Sequence, residues 1–222
     1  MMADTARTNS VDKKQQDEVR MLKRAAYRVM ARKDNQPASV QEILNEAGLS
    51  TRAFYRHFES KEALLVAMER EDSTRSAANL AAAVAGAVTP AAAVDAWLDH
   101  WLDLGYDPAR LRHARVLSSD EAVALAGRRH VRGEVQRTSV KLLAKVLADG
   151  HRAGDFPLAH PADDARAVQA IVLSLLEARV QRESAPSRES ARAHVVSVLE
   201  RLLGGSLSPA APRRVARTRR VT

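Results

Sequence analysis

Cysteine is absent from the 222 residues, which excludes a disulfide framework, a thiolate nucleophile and a Cys-ligated zinc site. Aromatic side chains make up only 4% of the chain, so its core is built mostly from Leu, Val and Ala. No stretch alternates apolar and polar residues strictly enough for a strand. One uncharged stretch, residues 76–94, has the length of a membrane span. It is mostly Ala, however, with Asn79, Gly86, Thr89 and Pro90 inside it, and reads as two helical segments broken at Thr89-Pro90. The polar first 16 residues lack the apolar run of a signal peptide. The expectation is a cytoplasmic protein with no membrane partner.

Signatures of catalysis are also missing. His100, His113, His130, His151 and His160 are scattered, without the H-x-x-x-H or H-E-x-x-H spacing of a metal site, and no G-x-S-x-G, P-loop or dinucleotide fingerprint is present. Asp163-Asp164 stands at a helix start, where acidic side chains complement the helix dipole. No enzyme activity, metal or cofactor is expected.

What remains is an ordinary globular balance, 45% hydrophobic and 28% charged, with a net charge of +8. That charge is uneven. Residues 1–60 carry 11 Lys and Arg against 8 Asp and Glu, residues 61–204 carry 19 of each, and residues 205–222 carry five against none. Positive ends around a neutral body are an electrostatic footprint for a polyanion. For the arginines of residues 213–220, a solvated tail without a partner is an equally good reading.

Nearly every segment carries the helical period. Val19, Leu22, Ala26, Val29 and Met30 form one stripe over residues 17–32. Val40, Ile43, Leu44 and Ala47 form a second. Phe54 and Phe58 stand at i and i+4 in a short third segment, and Leu64, Leu65 and Met68 open a fourth. Ser39 with Glu42 spells a capping box. Thr89-Pro90 and Asp107-Pro108 each set a cap before a proline. Gly154 marks a stop, and further helices are expected near 162–183 and 188–203. Residues 1–14 and 205–222 are expected as a disordered arm and tail, with a domain boundary near 70–76.

Residues 39–61, SVQEILNEAGLSTRAFYRHFESK, read as a helix, a tight turn at Ala47-Gly48-Leu49-Ser50, and a second short helix. This is helix-turn-helix spacing. Gly48 supplies the positive φ of the turn, Leu49 packs between the helices, and Ser50 caps the second. The first positions of such a helix meet base edges in the major groove.

The segment resembles the DNA-binding region of TetR-family transcriptional regulators. The carriers are Ser39-Val40 with Ile43, Ala47-Gly48-Leu49-Ser50, Phe54-Tyr55 with His57-Phe58, and Ser60-Lys61-Glu62 with Leu64. The match covers about 60 residues, and the remainder agrees in length and helical pattern. Two positions depart from the family: Asp34-Asn35 stands where a Gly is common, and Leu44 where a smaller residue is. The resemblance implies an all-α protein. An N-terminal three-helix helix-turn-helix DNA-binding domain (15–75) precedes a larger C-terminal helical ligand-binding and dimerisation domain (76–204).

It also implies roles. Ser39 caps its helix and offers a phosphate contact, and Gln41 reaches the groove wall. Thr51, Arg52 and Ala53 face the bases, with Arg52 the first choice for guanine readout. Tyr55, Arg56 and His57 contact the DNA backbone, and Lys61 meets a phosphate at a helix start. Plainer readings stand beside these: Arg52 on a phosphate, Tyr55 in the core, Arg56 as a solvated charge, His57 as a helix cap. Phe54 and Phe58 are assigned to the core. In the C-terminal half, Trp97 and Trp101 at i and i+4, with Tyr106 and His113, are candidates for lining an effector cavity; ordinary core is the better reading of Trp97.

The implied partners are double-stranded DNA, a second copy of the chain paired through the last two helices, and a small-molecule effector. The implied function is a ligand-responsive repressor on a palindromic operator. A non-specific architectural DNA-binding protein with a basic tail is the alternative.

Overall fold

The computed structural model describes residues 2–33, 38–117 and 126–207. Those residues fold into nine helices: α1 (Met2–Lys33), α2 (Val40–Ala47), α3 (Thr51–His57), α4 (Lys61–Ala85), α5 (Pro90–Tyr106), α6 (Pro108–Leu117), α7 (Ala126–Ala153), α8 (Pro161–Val180) and α9 (Arg188–Leu203). There is no strand among them. The departure at Asp34-Asn35 and the arginines of the tail lie outside the described residues.

Caps set most of the boundaries. Ser39 accepts from the Glu42 amide at 3.2 Å while the Glu42 carboxylate accepts from the Ser39 amide at 2.7 Å, the reciprocal bonding of a capping box. Ser60 and Thr89 cap α4 and α5. Asp107 accepts from two amides at the start of α6. Gly154 takes φ +82 just past α7. Two boundaries differ from the sequence reading. Helix α1 begins at Met2 and takes in most of the expected arm, since no Gly or Pro interrupts residues 2–33. Helix α8 stops at Val180 because Arg182 adopts φ +61 and the Glu183 amide turns back to the Ala178 carbonyl at 2.9 Å, a Schellman closure.

Two hydrophobic cores result. The first joins Leu22, Ala26 and Val29 of α1, Ile43 and Leu44 of α2, Phe54 of α3, Phe58, and Leu64, Leu65 and Met68 of α4. The second joins Leu80 and Val84 of α4 to Trp97, Trp101 and their neighbours on α5, Leu143 and Leu147 of α7, Val168 and Val172 of α8, and Val195 and Leu199 of α9. Helix α4 serves both. It runs unbroken through residues 70–76, with the change of core falling between Met68 and Leu80. Val116, near the end of α6, packs into the first core, so α6 also crosses between the two.

The second core is mostly apolar, with Ser139 as a polar group at its centre. Ser139 of α7 is buried, and its Oγ accepts both indole N–H groups, from Trp97 at 3.0 Å and Trp101 at 2.9 Å. Indole nitrogens are donors only, so each needs an acceptor when buried. At Gly150 the chain passes so close to Phe156 that a Cβ would lie 2.2 Å from the ring.

Replacing Ser139 with Ala strands two buried N–H groups. Each unpaired donor costs about 1–3 kcal/mol. Urea unfolding followed by tryptophan emission is expected to show S139A destabilised by about that much per stranded group.

Candidate nucleic-acid interface

Helix α3 has seven residues, too few to persist alone in water. Its place is fixed from three sides. At its start, Ser50 accepts from the Ala53 amide at 3.2 Å. From below, Phe54 is fully buried, and Phe58, at the end of the helix, lies 5.9 Å from it between ring centroids. Behind it, Gly48 takes φ +65 and the Leu49 amide returns to the Leu44 carbonyl at 3.2 Å. That left-handed residue turns the chain sharply from α2 into α3.

With Phe54 inward, the helical period sends Arg52 outward, and Thr51 and Tyr55 lie along the open flanks of the helix. All three are exposed, Tyr55 by 57%. Arg52 has no hydrogen bond or ion pair among the described residues. The Tyr55 ring stands nearly perpendicular to that of Phe54, 5.3 Å away between centroids. Ser39 and Gln41 are exposed on α2, with Gln41 bonded to Asn45 at 2.9 Å.

Other expected contact residues are placed differently. Ala53 is buried at 5% exposure, next to Phe54 on the inner side of α3. The His57 ring is also buried, and its Nε2 meets Glu18 Oε2 of α1 at 2.7 Å. Arg56 reaches the same oxygen at 3.2 Å. Lys61 donates to the Ala38 carbonyl at 2.9 Å, closing the link before α2.

The sequence reading missed the acidic side chains that clasp the domain. Glu46 binds Arg28 at 2.5 Å and Arg32 at 2.6 Å, tying α2 to α1. Glu42 binds Lys33 at 2.8 Å. Lys23 binds Glu71 at 2.7 Å, and the Tyr27 hydroxyl donates to Asp72, so α1 is fastened to α4 as well. Burial and then the Asp72 bond push the Tyr27 phenol far above its ordinary value. Glu18 left a legible trace: it stands four residues before Leu22, an acid in line with an apolar stripe.

In the second core, Trp97 and Trp101 are buried and both donate to Ser139. The Tyr106 hydroxyl donates to the Pro186 carbonyl at 3.0 Å, and the Arg179 guanidinium lies 5.0 Å from its ring centre. The His113 side chain lies outside the described residues. Gln169 of α8 is buried, and both heteroatoms of its amide lack a hydrogen-bond partner. Among the described residues no group of three acidic or His side chains is arranged to hold a metal ion. No helix among them is long and apolar enough to cross a membrane.

A Ser-capped helix set across a glycine turn, with an exposed outer face and three-helix support, defines a helix-turn-helix protein. Residues 22–68 match the family model described as bacterial regulatory proteins, tetR family. No curated protein matches the chain. Solved structures extend the likeness of fold to both domains. A bacterial regulatory protein in the tetR family from Rhodococcus RHA1 is 22% identical, with a TM-score of 0.63 over 85% of this chain and 97% of that one. A TetR-family transcriptional regulator from Agrobacterium tumefaciens is 19% identical, with a TM-score of 0.67 over 85% and 99%. A Saccharomonospora viridis protein solved in complex with choline is 16% identical, with a TM-score of 0.72 over 83% and 96%.

The clasp is acid-sensitive. The Lys33 bond, then the Ser39 amide and hydroxyl, hold the Glu42 carboxyl at about 2, below its ordinary 4.5. The Arg32 and Arg28 bonds lower Glu46 in the same direction. A carboxyl lowered on folding adds stability that is complete above its unfolded value and lost as pH falls through the folded one. Thermal unfolding midpoints are expected to fall between about pH 4.5 and 2, and E42Q to flatten that fall.

Proposed function

We propose that the protein is a transcriptional regulator that binds a specific palindromic DNA sequence as a homodimer and releases it when a small molecule binds the C-terminal domain. The observation that carries this reading is the outer face of α3. Thr51, Arg52 and Tyr55 stand exposed on a helix whose opposite side is locked into a core, and a rigid scaffold is what base readout requires. Arg52 reads a guanine through a bidentate bond. Thr51 contacts an adjacent base edge. Tyr55, Ser39 and Gln41 bind the sugar-phosphate backbone and set the register. Such a protein works in the cytoplasm, where a bacterial chromosome lies.

One seven-residue helix contacts too few bases to select a site, and a symmetric pair reads two half-sites. The apolar side chains of α8 and α9 support pairing. Ile171, Leu175, Val196 and Leu202 are only partly buried in a single chain, which leaves apolar surface for a second copy. The effector reading rests on Gln169, whose buried amide meets no partner. A buried amide without a hydrogen bond carries an unrecovered desolvation cost, and a polar ligand group relieves it. An effector lowers DNA affinity only by as much as it prefers the conformer with misplaced reading heads.

Selection of bound duplexes from a random pool is expected to return a palindrome, and sedimentation to return a dimer. R52A is expected to lose about 1–3 kcal/mol of discrimination at one position in each half-site. Enrichment of no sequence, with binding that only follows salt, would support the architectural reading instead.

A further inference from the structure

Glu18 joins α1 to the end of α3. Its side chain is 10% exposed, and a single oxygen, Oε2, meets the two residues that end α3: His57 Nε2 at 2.7 Å and Arg56 Nη1 at 3.2 Å. The partners are 38 and 39 residues away in sequence. The His57 bond, with the Arg56 charge behind it, holds the Glu18 carboxyl below its ordinary value. Arg56, which follows Tyr55 on α3, keeps 44% of its side chain exposed. Arg52, on the same short helix, has no such partner.

We infer that Glu18 is an internal stand-in for DNA phosphate, holding Arg56 and His57 so that the reading helix grips the backbone weakly and discriminates sequence strongly. The inference rests on the DNA-binding reading above and adds to it a residue that sets specificity. Phosphate contacts raise affinity for every sequence alike, whereas base contacts raise it for one. A guanidinium whose charge is already met by a shielded carboxylate gains little from a phosphate, because the new pair replaces an existing one. The carboxylate also lies close enough to Arg56 to repel a phosphate that approaches it. Lys61 is engaged in the same inward manner by the Ala38 carbonyl. Base readout by Arg52 therefore outweighs the backbone grip.

The test is a double-mutant cycle on the full chain: wild type, E18Q, R56A and E18Q/R56A. Each is titrated with the selected duplex and with a random duplex over a range of salt, after thermal unfolding confirms a folded protein. Gln keeps the shape and an acceptor oxygen but removes the charge. E18Q is expected to bind random duplex about five- to tenfold tighter at 0.1 M salt, with a salt slope steeper by about 0.9, the value of one phosphate contact. Its preference for the selected duplex is expected to narrow by a similar factor. Adding R56A to E18Q is expected to remove that gain, whereas R56A alone lowers the slope by much less than one contact. An E18Q gain that survives in the double variant overturns the inference, because it reports only lost negative charge. So does an R56A slope loss of a full contact in the wild type, a result that needs no E18Q protein. A wild type that binds the selected duplex, with no change in E18Q, overturns this inference alone; a wild type that binds no duplex overturns the DNA-binding reading with it.

Discussion

A helix of two turns costs more to nucleate than its few hydrogen bonds return, so α3 takes its shape from what lies beneath it. Phe54 is the decisive contact. Its ring is fully buried among α1, α2 and α4 side chains, and burying a side chain of that size stabilises by about 1.5–3 kcal/mol. With Phe54 fixed, the rotation of α3 about its axis is fixed too. The helical period puts Arg52 nearly opposite Phe54, and packing leaves Thr51 and Tyr55 exposed and Ala53 buried. The left-handed Gly48 and the Ser50 cap complete the restraint at the other end. The outward face is rigid because the inward face has no freedom.

The same economy joins the domains. Helix α4, 25 residues long and so about 37 Å, lends its first half to one core and its second half to the other. Helix α6 adds a second crossing: Val116 enters the first core, while Arg115 donates to the Arg179 carbonyl at the end of α8 at 2.8 Å. On α5, His100 meets Ser76 of α4 at 3.0 Å.

Polar groups inside this protein are few and mostly answered. Ser139 takes two indoles at once. Asp95, Asp99 and Asp103 of α5 pair with Arg188 and Arg192 along α9, at positions open enough to solvent that each pair contributes modestly. Gln169 is an exception: its buried amide has no hydrogen-bond partner among the described residues.

Local chemistry determined a good deal by itself. The absence of strands, the caps at Ser39, Ser50 and Thr89, the turn at Gly48 and the inward Phe54 are all consequences of neighbours within four or five residues, so spacing alone exposed them. The outward position of Arg52 followed from the same period. Contacts between distant residues were beyond its reach. Nothing near His57 or Arg56 announces Glu18, nothing near Lys61 announces the Ala38 carbonyl, and nothing near Trp97 announces Ser139. A charged side chain reads the same in sequence whether it faces water, a phosphate or another part of its own chain. Tertiary packing decides which of these it meets, because only the folded chain brings a partner 38 residues away to within 3.2 Å.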